Sequence, residues 1–323
     1  MNNNSSYYPV NSLNFWRSYL VHMRPYLLFV SGVAGLAGLA FAPTKVELTI
    51  FLMAFIPCWL GYGFGQALTD TTQIDTDSIS SPYRPLVKGE VSPLSVGLVS
   101  LAGLITIAGF LVYLNTSNLL LLIMSVAGLA TYTYFKKNFW FAGPFYNGWI
   151  VMLLPLIGFL SPQSGGLELL KNVPLWSLAL MTLFSYANFV IMGYLKDINA
   201  DRETGYYTFP VVFGWDATTF VGDTFVALSI FFCLKVVNLS NLWAVALMAV
   251  ASIIAIVGQG YAHLTEDKTE KNSSLTIAAT VRSFILWHLA VTVSHKPSWL
   301  IFSIAFYLCF EAVLFIRPKK EQI

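Results

Sequence analysis

Acidic residues are concentrated in two short segments of a sequence that is otherwise mostly apolar. The first segment contains Asp70, Asp75 and Asp77, and the second contains Asp197 and Asp201. Each segment follows a long apolar run, where an unpaired carboxylate is costly to desolvate. Carboxylate oxygens are the ligands that Mg²⁺ prefers, usually together with the phosphates of a substrate. We therefore interpret the two segments as a site that binds a metal and a phosphorylated substrate.

The composition is that of a membrane protein. Of the 323 residues, 56% are hydrophobic and 11% are charged, whereas a soluble domain carries roughly 25% charged residues. Nine apolar runs each approach the ~20 residues that cross a bilayer as a helix. They lie at residues 26–42, 46–67, 94–114, 119–135, 142–159, 175–195, 217–237, 242–264 and 299–316. The sequence predicts one all-α, polytopic membrane domain over residues 1–323, with about nine transmembrane helices around a central cavity.

One further apolar run, residues 275–293, carries Arg282 and His288. Because a lipid-facing arginine at mid-depth is expensive, we expect this run to form an interfacial or bundle-buried helix. If it spans instead, there are ten spans and the C-terminus changes side. With nine spans, twelve of the eighteen Lys and Arg residues fall on the side of the acidic segments. Cytoplasmic loops are enriched in these residues, so this side, including an N-terminal segment 1–25, is predicted to face the cytoplasm of a bacterial-type membrane.

Both acidic segments follow even-numbered spans, the second and the sixth, and therefore emerge on the same side. Asp70 and Asp77 are seven residues apart, while Asp197 and Asp201 are four apart, so each pair shares a face wherever the chain is helical. Like charges in this arrangement repel, and a bound cation would relieve the repulsion. The alternative is that these acids are solvated loop residues and helix caps. Two clusters on one side favour the binding site.

Further motifs surround the acidic segments. Ser80-Ser-Pro82-Tyr-Arg84-Pro85 follows the first segment, and Gly205-Tyr-Tyr-Thr208 follows the second. Arg24-Pro25 precedes the first span, and Tyr132-Thr-Tyr-Phe-Lys136-Lys137 ends the fourth. Together these motifs resemble the UbiA superfamily of intramembrane prenyltransferases. The motifs of that family read roughly Asn-Asp-x-x-Asp-x-x-x-Asp before a Pro-x-Arg-Pro turn, and Asp-x-x-x-Asp before Gly-x-x-Thr. The resemblance extends from the N-terminal quarter to about residue 214.

The first motif departs from the family pattern. With the Pro-x-Arg-Pro turn as the anchor, Thr69 stands where the family has Asn and Gln73 stands where it has Asp, while Asp75 is an additional acid. A shifted alignment uses Gln66 for the Asn but places Ile74 at an Asp position. In either alignment one family carboxylate is missing, and whether Asp75 replaces it is left open.

The resemblance implies an electrophilic alkylation. Mg²⁺ ions bound by the acidic segments would hold a prenyl diphosphate, and an allylic cation would be captured by a lipophilic acceptor, with aromatic compounds and quinone precursors as candidates. The metal ligands that it implies are Asp70, Asp75, Asp77, Asp197 and Asp201. The side chains that it implies for the diphosphate are Arg84, Lys136 and Lys196. The catalytic residues that it implies are Lys136 and Tyr132, the latter stabilising the cation through its ring or hydroxyl.

Two other functions remain open. A terpene cyclase of the same fold would capture the cation with the substrate's own double bonds. A multi-span transporter or lipid carrier would use the acids for coupling ions, although transporter acids tend to lie near mid-membrane beside broken helices. The formal charge of +2 and the lack of a basic stripe argue against a nucleic-acid partner. The sequence indicates no protein partner, so the expected partners are Mg²⁺, a prenyl diphosphate, an acceptor and membrane lipid.

Overall fold

The fold is an assembly of α-helices. The structure is a computed structural model, and it describes residues 7–316. Within these residues the helices are α1 (Leu13–Met23), α2 (Leu28–Phe41), α3 (Leu48–Asp70), α4 (Ile74–Ser80), α5 (Pro93–Leu114), α6 (Asn118–Asn138), α7 (Ala142–Leu160), α8 (Val173–Gly193), α9 (Ile198–Glu203), α10 (Phe209–Val236), α11 (Leu242–Leu264), α12 (Ser274–His295) and α13 (Leu300–Ile316). Short 3₁₀ segments adjoin several of them, at Pro25–Leu27, Leu167–Lys171, Tyr194–Lys196, Glu270–Ser273 and Pro297–Trp299.

Most of these helices are long and apolar enough to cross a bilayer. Nine such segments occur in residues 7–316, namely Leu48–Asp70, Pro93–Leu114, Asn118–Asn138, Ala142–Leu160, Val173–Lys196, Phe209–Val236, Leu242–Leu264, Glu270–His295 and Pro297–Ile316. Leu13–Met23 and Pro25–Phe41 pass the same test together, as a pair bent by 50°. The predicted all-α, multi-pass membrane bundle is therefore confirmed.

Successive long helices run in opposite directions and define two ends of the bundle. At one end, which we call the Asp end, Arg24 lies 2.9 Å from Asp70, the last residue of α3. At the opposite end, Lys296 Nζ donates to the Thr44 carbonyl oxygen over 3.1 Å. The short helices α4 and α9, which carry acids of the two segments, pack against each other at the Asp end. Both acidic segments thus lie on one side, as the alternation of spans predicted.

Residues 275–293 belong to α12, which the bundle encloses. In the apolar window of the segment Glu270–His295, 89% of the residues are buried. The helix is therefore enclosed by the bundle, one of the two placements expected, but it is also long and apolar enough to span, which the expectation had set apart as the other outcome. Arg282 makes a bidentate pair with Glu311 of α13, in which Nε donates to Oε1 at 2.7 Å and Nη2 donates to Oε2 at 2.9 Å. His288 lies inside the bundle, with Nε2 2.8 Å from the Thr182 hydroxyl. Both polar side chains therefore have partners at depth.

The set of segments that can span the membrane differs from the one that the sequence predicted. The helix α12 crosses the bundle, so it is one of the nine long helices, and the predicted first span, residues 26–42, belongs to the bent pair that makes a tenth crossing. Lys296 consequently lies opposite the acidic segments, and α13 ends at the Asp end. The basic tail residues Arg317, Lys319 and Lys320, which the nine-span scheme placed on the other side, lie outside the described residues.

The helix α1 packs across the Asp end. The Ser12 hydroxyl caps it by accepting from the Phe15 amide at 3.1 Å. Arg24 ends it with φ of 49°, the one positive φ of a non-glycine residue within residues 7–316, and this left-handed conformation is uncommon for such a residue. The chain then bends into α2. The predicted segment 1–25 is therefore a folded part of the bundle over residues 7–25, and residues 1–6 lie outside the described part.

The helix α2 lies at the centre of the bundle, and glycines let α7 approach it closely. A Cβ atom at Gly38 would overlap the carbonyl oxygen of Pro155, and one at Gly158 would overlap the carbonyl oxygen of Gly35. Small residues permit such close backbone approach between membrane helices. The contact between α2 and α7 thus depends on the absence of side chains at these positions.

We expect Gly38→Ala to destabilise the protein by about 1–3 kcal/mol, because the added methyl group must push α2 and α7 apart. The midpoint of thermal unfolding of the purified protein in detergent measures the effect. Gly109→Ala on α5 is the matched control, since a Cβ there meets no atom within 4 Å and alanine favours the helix. Equal midpoints for Gly38→Ala and the parent protein would contradict the close packing.

Candidate active site

A large cavity opens at the Asp end of the bundle. It encloses about 1900 Å³, its open mouth included. Its mouth is lined by the charged residues Arg24, Asp77, Arg84, Lys136, Lys196 and Asp197. Its inner walls are apolar and include Leu104, Ile107, Leu111, Leu122, Val126 and Ile157. Lys136 and Leu122 are fourteen residues apart on α6, so the cavity reaches about 21 Å into the bundle at 1.5 Å per residue.

Asp70 is buried at the end of α3, and both of its carboxylate oxygens are bonded. Arg24 Nη2 donates to Oδ1 at 2.9 Å, and Gln66 Nε2 donates to the same oxygen at 2.8 Å. The other oxygen, Oδ2, lies 3.0 Å from Nδ1 of the buried His22. Arg84 Nη1 lies 3.6 Å from Oδ1. The carboxylate is therefore neutralised by side chains of α1 and of the turn after α4.

Asp77 lies on the buried face of α4 and pairs with Arg84. Arg84 Nη1 donates to Oδ2 of Asp77, while Oδ1 has no hydrogen-bond partner within residues 7–316. The Arg84 amide donates to the Ser81 carbonyl oxygen at 3.0 Å, which fixes the turn that carries the guanidinium. Burial raises the pKa of Asp77 above the ordinary carboxyl value, and Arg84 opposes this shift. A further cation at the open oxygen would therefore stabilise the charged form.

Asp201 is fully buried in α9. Lys136 Nζ donates to its Oδ1 at 3.3 Å, and Thr208 Oγ1 donates to its Oδ2 at 3.0 Å. Burial raises the pKa of Asp201, while the charge of Lys136 and the hydroxyl of Thr208 oppose the shift. Gly205 has φ of 74°, a left-handed conformation that glycine adopts readily. This turn brings Thr208 back to Asp201 and explains the Gly-x-x-Thr sequence after the second acidic segment.

Asp197 and Lys196 precede α9, and both line the cavity. Their side chains are half-buried. In the part of the chain that the structure describes, neither side chain has a hydrogen-bond or ion-pair partner. Both charges are therefore available to a ligand at the mouth.

Gln73 and Asp75 occupy different surroundings. Gln73, at the position where the family pattern has Asp, lines the cavity, and its Nε2 donates to the Thr133 hydroxyl on α6 at 3.1 Å. Asp75 is exposed and does not line the cavity. The additional acid of the first segment is therefore not brought to the position of the missing one.

Five tyrosines of the described residues line the cavity, and four of them, Tyr62, Tyr132, Tyr186 and Tyr194, are joined in two hydroxyl contacts. The hydroxyls of Tyr132 and Tyr194 lie 3.0 Å apart, and Tyr186 donates to Tyr62 at 3.2 Å. Lys136 Nζ lies 5.1 Å from the centroid of the Tyr194 ring. Aromatic faces attract cations, so this layer of rings can stabilise a positive charge that develops beneath the mouth.

The structure brings most of the predicted site residues to this cavity. Those that line it are Asp77, Arg84, Tyr132, Lys136, Lys196 and Asp197. Asp70 and Asp201 lie behind the lining, as partners of Arg24 and Lys136, and Asp75 lies apart. The roles of these side chains in metal binding and catalysis stay predictions.

Sequence reasoning missed the contacts of His22 and Tyr194. The ring of His22 reaches Asp70 only because the left-handed residue Arg24 turns α1 against the end of α3, and no local motif indicates such a turn. Tyr194 lies in an apolar run that predicts only a spanning helix. The Arg24-Pro25 pair was the one available signal for this part of the site.

The chain is similar to two kinds of named protein. It is 27% identical to digeranylgeranylglyceryl phosphate synthase of Thermococcus sibiricus over 208 residues, which cover 63% of this chain and 71% of that protein. It is 29% identical to the chloroplastic chlorophyll synthase of Arabidopsis thaliana over 210 residues, which cover 59% of this chain and 51% of that protein.

Solved structures share the fold. The apo structure of a UbiA homolog from Aeropyrum pernix K1 superimposes with a TM-score of 0.67 at 21% identity, covering 79% of this chain and 94% of that one. The structure of a UbiA homolog from Archaeoglobus fulgidus bound to GPP and Mg²⁺ superimposes with a TM-score of 0.62 at 16% identity, covering 83% and 99%. At these identities the likeness establishes the architecture of the bundle.

The sequence also matches a family profile over most of its length. Residues 31–285 fit the profile described as the UbiA prenyltransferase family. This range extends beyond both acidic segments and includes most of α12. The resemblance carried by the motifs is thereby confirmed, and the protein belongs to the UbiA prenyltransferase family.

Proposed function

We propose that the protein transfers a prenyl group from a prenyl diphosphate to a lipophilic acceptor within the membrane, with Mg²⁺ bound at the Asp end. The observation that carries this proposal is the two-part cavity, which is about 21 Å deep and has a charged mouth and an apolar interior. A prenyl diphosphate has the same two parts, a charged head and a long apolar tail. The cavity therefore matches the class of substrate that the family name describes.

The names of the relatives are consistent with both proposed substrates, the prenyl diphosphate and the lipophilic acceptor. Digeranylgeranylglyceryl phosphate synthase and chlorophyll synthase are named for lipophilic products, which is consistent with an acceptor taken from the membrane. The Archaeoglobus fulgidus homolog is described as bound to GPP and Mg²⁺. These descriptions concern those proteins, and the same chemistry is what we propose for this one.

The residues at the mouth fit Mg²⁺. Asp77 and Asp197, one from each acidic segment, line the cavity and have carboxylate oxygens without partners in the described residues. They would hold the ion, since Mg²⁺ commonly takes one or two carboxylates and completes its shell with substrate phosphates and water. When bound, the ion supplies positive charge that stabilises the departing diphosphate.

The side chains Arg84 and Lys196 are placed to hold the diphosphate. The turn between Pro82 and Pro85 fixes the direction of Arg84. No carboxylate among the described residues lies within ion-pair distance of the Lys196 ammonium, so it can donate to phosphate oxygens. As the carbon–oxygen bond of the substrate breaks, its electron pair leaves on the diphosphate. Fixed positive groups near the mouth stabilise the charge that develops there.

The allylic cation that remains lies beside the tyrosine layer. The ring of Tyr132 stabilises it, and the hydroxyl contact with Tyr194 holds that ring in place. The apolar interior excludes water, which would otherwise capture the cation. The acceptor then forms the new carbon bond and loses a proton.

The two other functions have less support. The acids lie at the end of the bundle, whereas coupling-ion sites of transporters tend to lie near mid-membrane. A terpene cyclase would use the same mouth and the same ionisation. It differs in needing no acceptor, which an assay can test directly.

We also propose that the Asp end faces the cytoplasm, in a bacterial-type cytoplasmic membrane. Of the fifteen Lys and Arg residues that the structure describes, ten lie at the Asp end and one, Arg282, lies inside the bundle in the half of α12 nearer to that end. The four at the opposite end are Lys45, Lys171, Lys235 and Lys296. The ten-crossing topology thus strengthens the charge asymmetry that the sequence showed, and such asymmetry sets the orientation of membrane proteins.

Asp197→Ala and Asp201→Ala are expected to reduce diphosphate release by about a hundredfold or more, because Asp197 would hold the Mg²⁺ and Asp201 holds the ammonium of Lys136 at the mouth. The purified protein is mixed with prenyl diphosphates of several chain lengths, with and without Mg²⁺ and a lipophilic acceptor. Released diphosphate is then measured together with the organic product.

Glu168→Ala is the matched control, since Glu168 is an exposed acid at the opposite end and its removal should leave release unchanged. Release that requires an added acceptor indicates a transferase. Release with a hydrocarbon or alcohol product and no acceptor indicates a cyclase. If no chain length gives release under any condition, both enzymatic functions are wrong.

Labelling from outside the cell tests the orientation. Both variants are made in a Cys309→Ser background and treated with a membrane-impermeant maleimide. Ser240→Cys, at the opposite end, should react in intact cells. Glu266→Cys, at the Asp end, should react only after the membrane is permeabilised. Both positions are exposed, while Cys58 and Cys233 are buried. The reverse labelling pattern would place the active site outside the cytoplasm.

A further inference from the structure

We infer that the diphosphate is bound with a single divalent cation, held between Asp77 and Asp197, and that positively charged side chains do the remaining charge neutralisation. This inference rests on the proposed function and concerns how the chain's own residues meet the metal. It assigns different roles to the five acids of the two segments, which the motifs alone present as equivalent.

The first step is the availability of carboxylate oxygens. Both oxygens of Asp70 are bonded, to Arg24 and Gln66 on one side and to His22 on the other. Both oxygens of Asp201 are bonded as well, to Lys136 and Thr208. A metal at either side chain would have to share an oxygen with these donors, and its charge would weaken the buried pairs of Asp70 with Arg24 and of Asp201 with Lys136.

The second step is the position of the open oxygens. In the part of the chain described by the structure, Asp77 Oδ1 has no hydrogen-bond partner, and neither oxygen of Asp197 has one. Both side chains line the mouth of the same cavity. One carboxylate from each segment is a donor set that suits one Mg²⁺ ion with substrate phosphates and water.

The third step is the substitution at Gln73. The family pattern has an acid at this position, and the negative charge of that acid would help to bind a second ion. The amide of Gln73 is neutral, and its Nε2 is oriented by the bond to Thr133. A neutral amide compensates none of the charge of a divalent cation, so this position does not support a second ion.

The fourth step excludes the obvious replacement. Asp75 is exposed and does not line the cavity. On α4 it is two residues from Asp77, and residues at this spacing do not share a face of a helix. Its carboxylate therefore cannot serve the mouth while Asp77 does.

The charge of a second ion is instead supplied by side chains. Arg24 and Lys196 line the mouth, and no carboxylate within residues 7–316 lies within ion-pair distance of the Lys196 ammonium. Arg24 reaches the mouth while its Nη2 donates to Asp70 at 2.9 Å, and it has a left-handed backbone, a strained conformation that persists where the surrounding structure enforces it. The site thus keeps its positive charge with one ion fewer.

Counting bound Mn²⁺ tests the inference. The full-length protein in detergent is saturated with geranyl S-thiolodiphosphate, an analogue that resists ionisation, and free Mn²⁺ is measured by electron paramagnetic resonance. We expect one Mn²⁺ per chain for the parent protein. Gln73→Asp, which restores the acid, should bind two, and Gln73→Asn should bind one. Asp197→Asn should weaken Mn²⁺ binding by about tenfold or more.

Asp75→Asn tests whether Asp75 replaces the acid that the first segment lacks at Gln73. If Asp75 lies outside the site, the variant binds one Mn²⁺ with unchanged affinity. Two bound ions in the parent protein, or a loss of Mn²⁺ in Asp75→Asn, would overturn the single-ion inference while leaving the proposed function intact. Failure of the parent protein to bind the analogue, measured separately from its ³¹P resonances, would overturn both.

Discussion

Pairing of buried charges at the Asp end is the constraint on which the rest of this structure depends. Carboxylates near the membrane are expensive to bury, and removing one partner of a buried pair costs about 3–5 kcal/mol. The pairs are Arg24 with Asp70, Arg84 with Asp77, and Lys136 with Asp201. Each joins two separate elements of the chain. The pair of Arg24 and Asp70 joins the bend before α2 to the end of α3. The pair of Arg84 and Asp77 joins the turn after α4 to α4 itself. The pair of Lys136 and Asp201 joins α6 to α9. The mouth of the cavity is therefore held in shape by the same charges that line it.

Pairing also determines which groups face the substrate. Once three acids are neutralised by neighbouring cations, Asp197 and Lys196 are left half-buried at the mouth with no partner in the described residues. Such unpaired charges are tolerable because the mouth is open to water, and they gain most from a ligand that carries both metal and phosphate. Deeper in the cavity, no charged side chain of residues 7–316 lines the walls. The change from charge to tyrosine rings to aliphatic walls follows the order of a substrate's diphosphate, reacting carbon and apolar tail.

The fold and part of the site follow from the sequence for physical reasons. Long apolar runs can satisfy their backbone in lipid only as helices or closed barrels, so hydropathy predicts the bundle, and the alternation of spans predicts that both acidic segments share a side. Hydropathy does not tell whether a run faces lipid or protein, and for this reason residues 275–293 were ambiguous until their burial was known. The contact of His22 with Asp70 was unpredictable because it depends on one left-handed residue, Arg24. The second acidic segment was easier to interpret, because Gly205 and Thr208 act locally.

The two acidic segments match the family pattern to different extents, and this difference has an electrostatic rationale. At the second segment, Thr208 and Lys136 complete a fixed environment for Asp201, and Asp197 is left open to the cavity. At the first segment, the neutral Gln73 stands where the family pattern has an acid, and its amide is held by Thr133 rather than by a cation. Losing one negative charge there also leaves Arg24 and Arg84 with less carboxylate to neutralise, since only Asp70 and Asp77 remain beside them. Their positive potential is then directed into the mouth, where a diphosphate experiences it at short range and in partial isolation from water. Under the single-ion proposal, the departure from the motif exchanges metal-derived charge for guanidinium charge, and the attraction for the leaving group is retained.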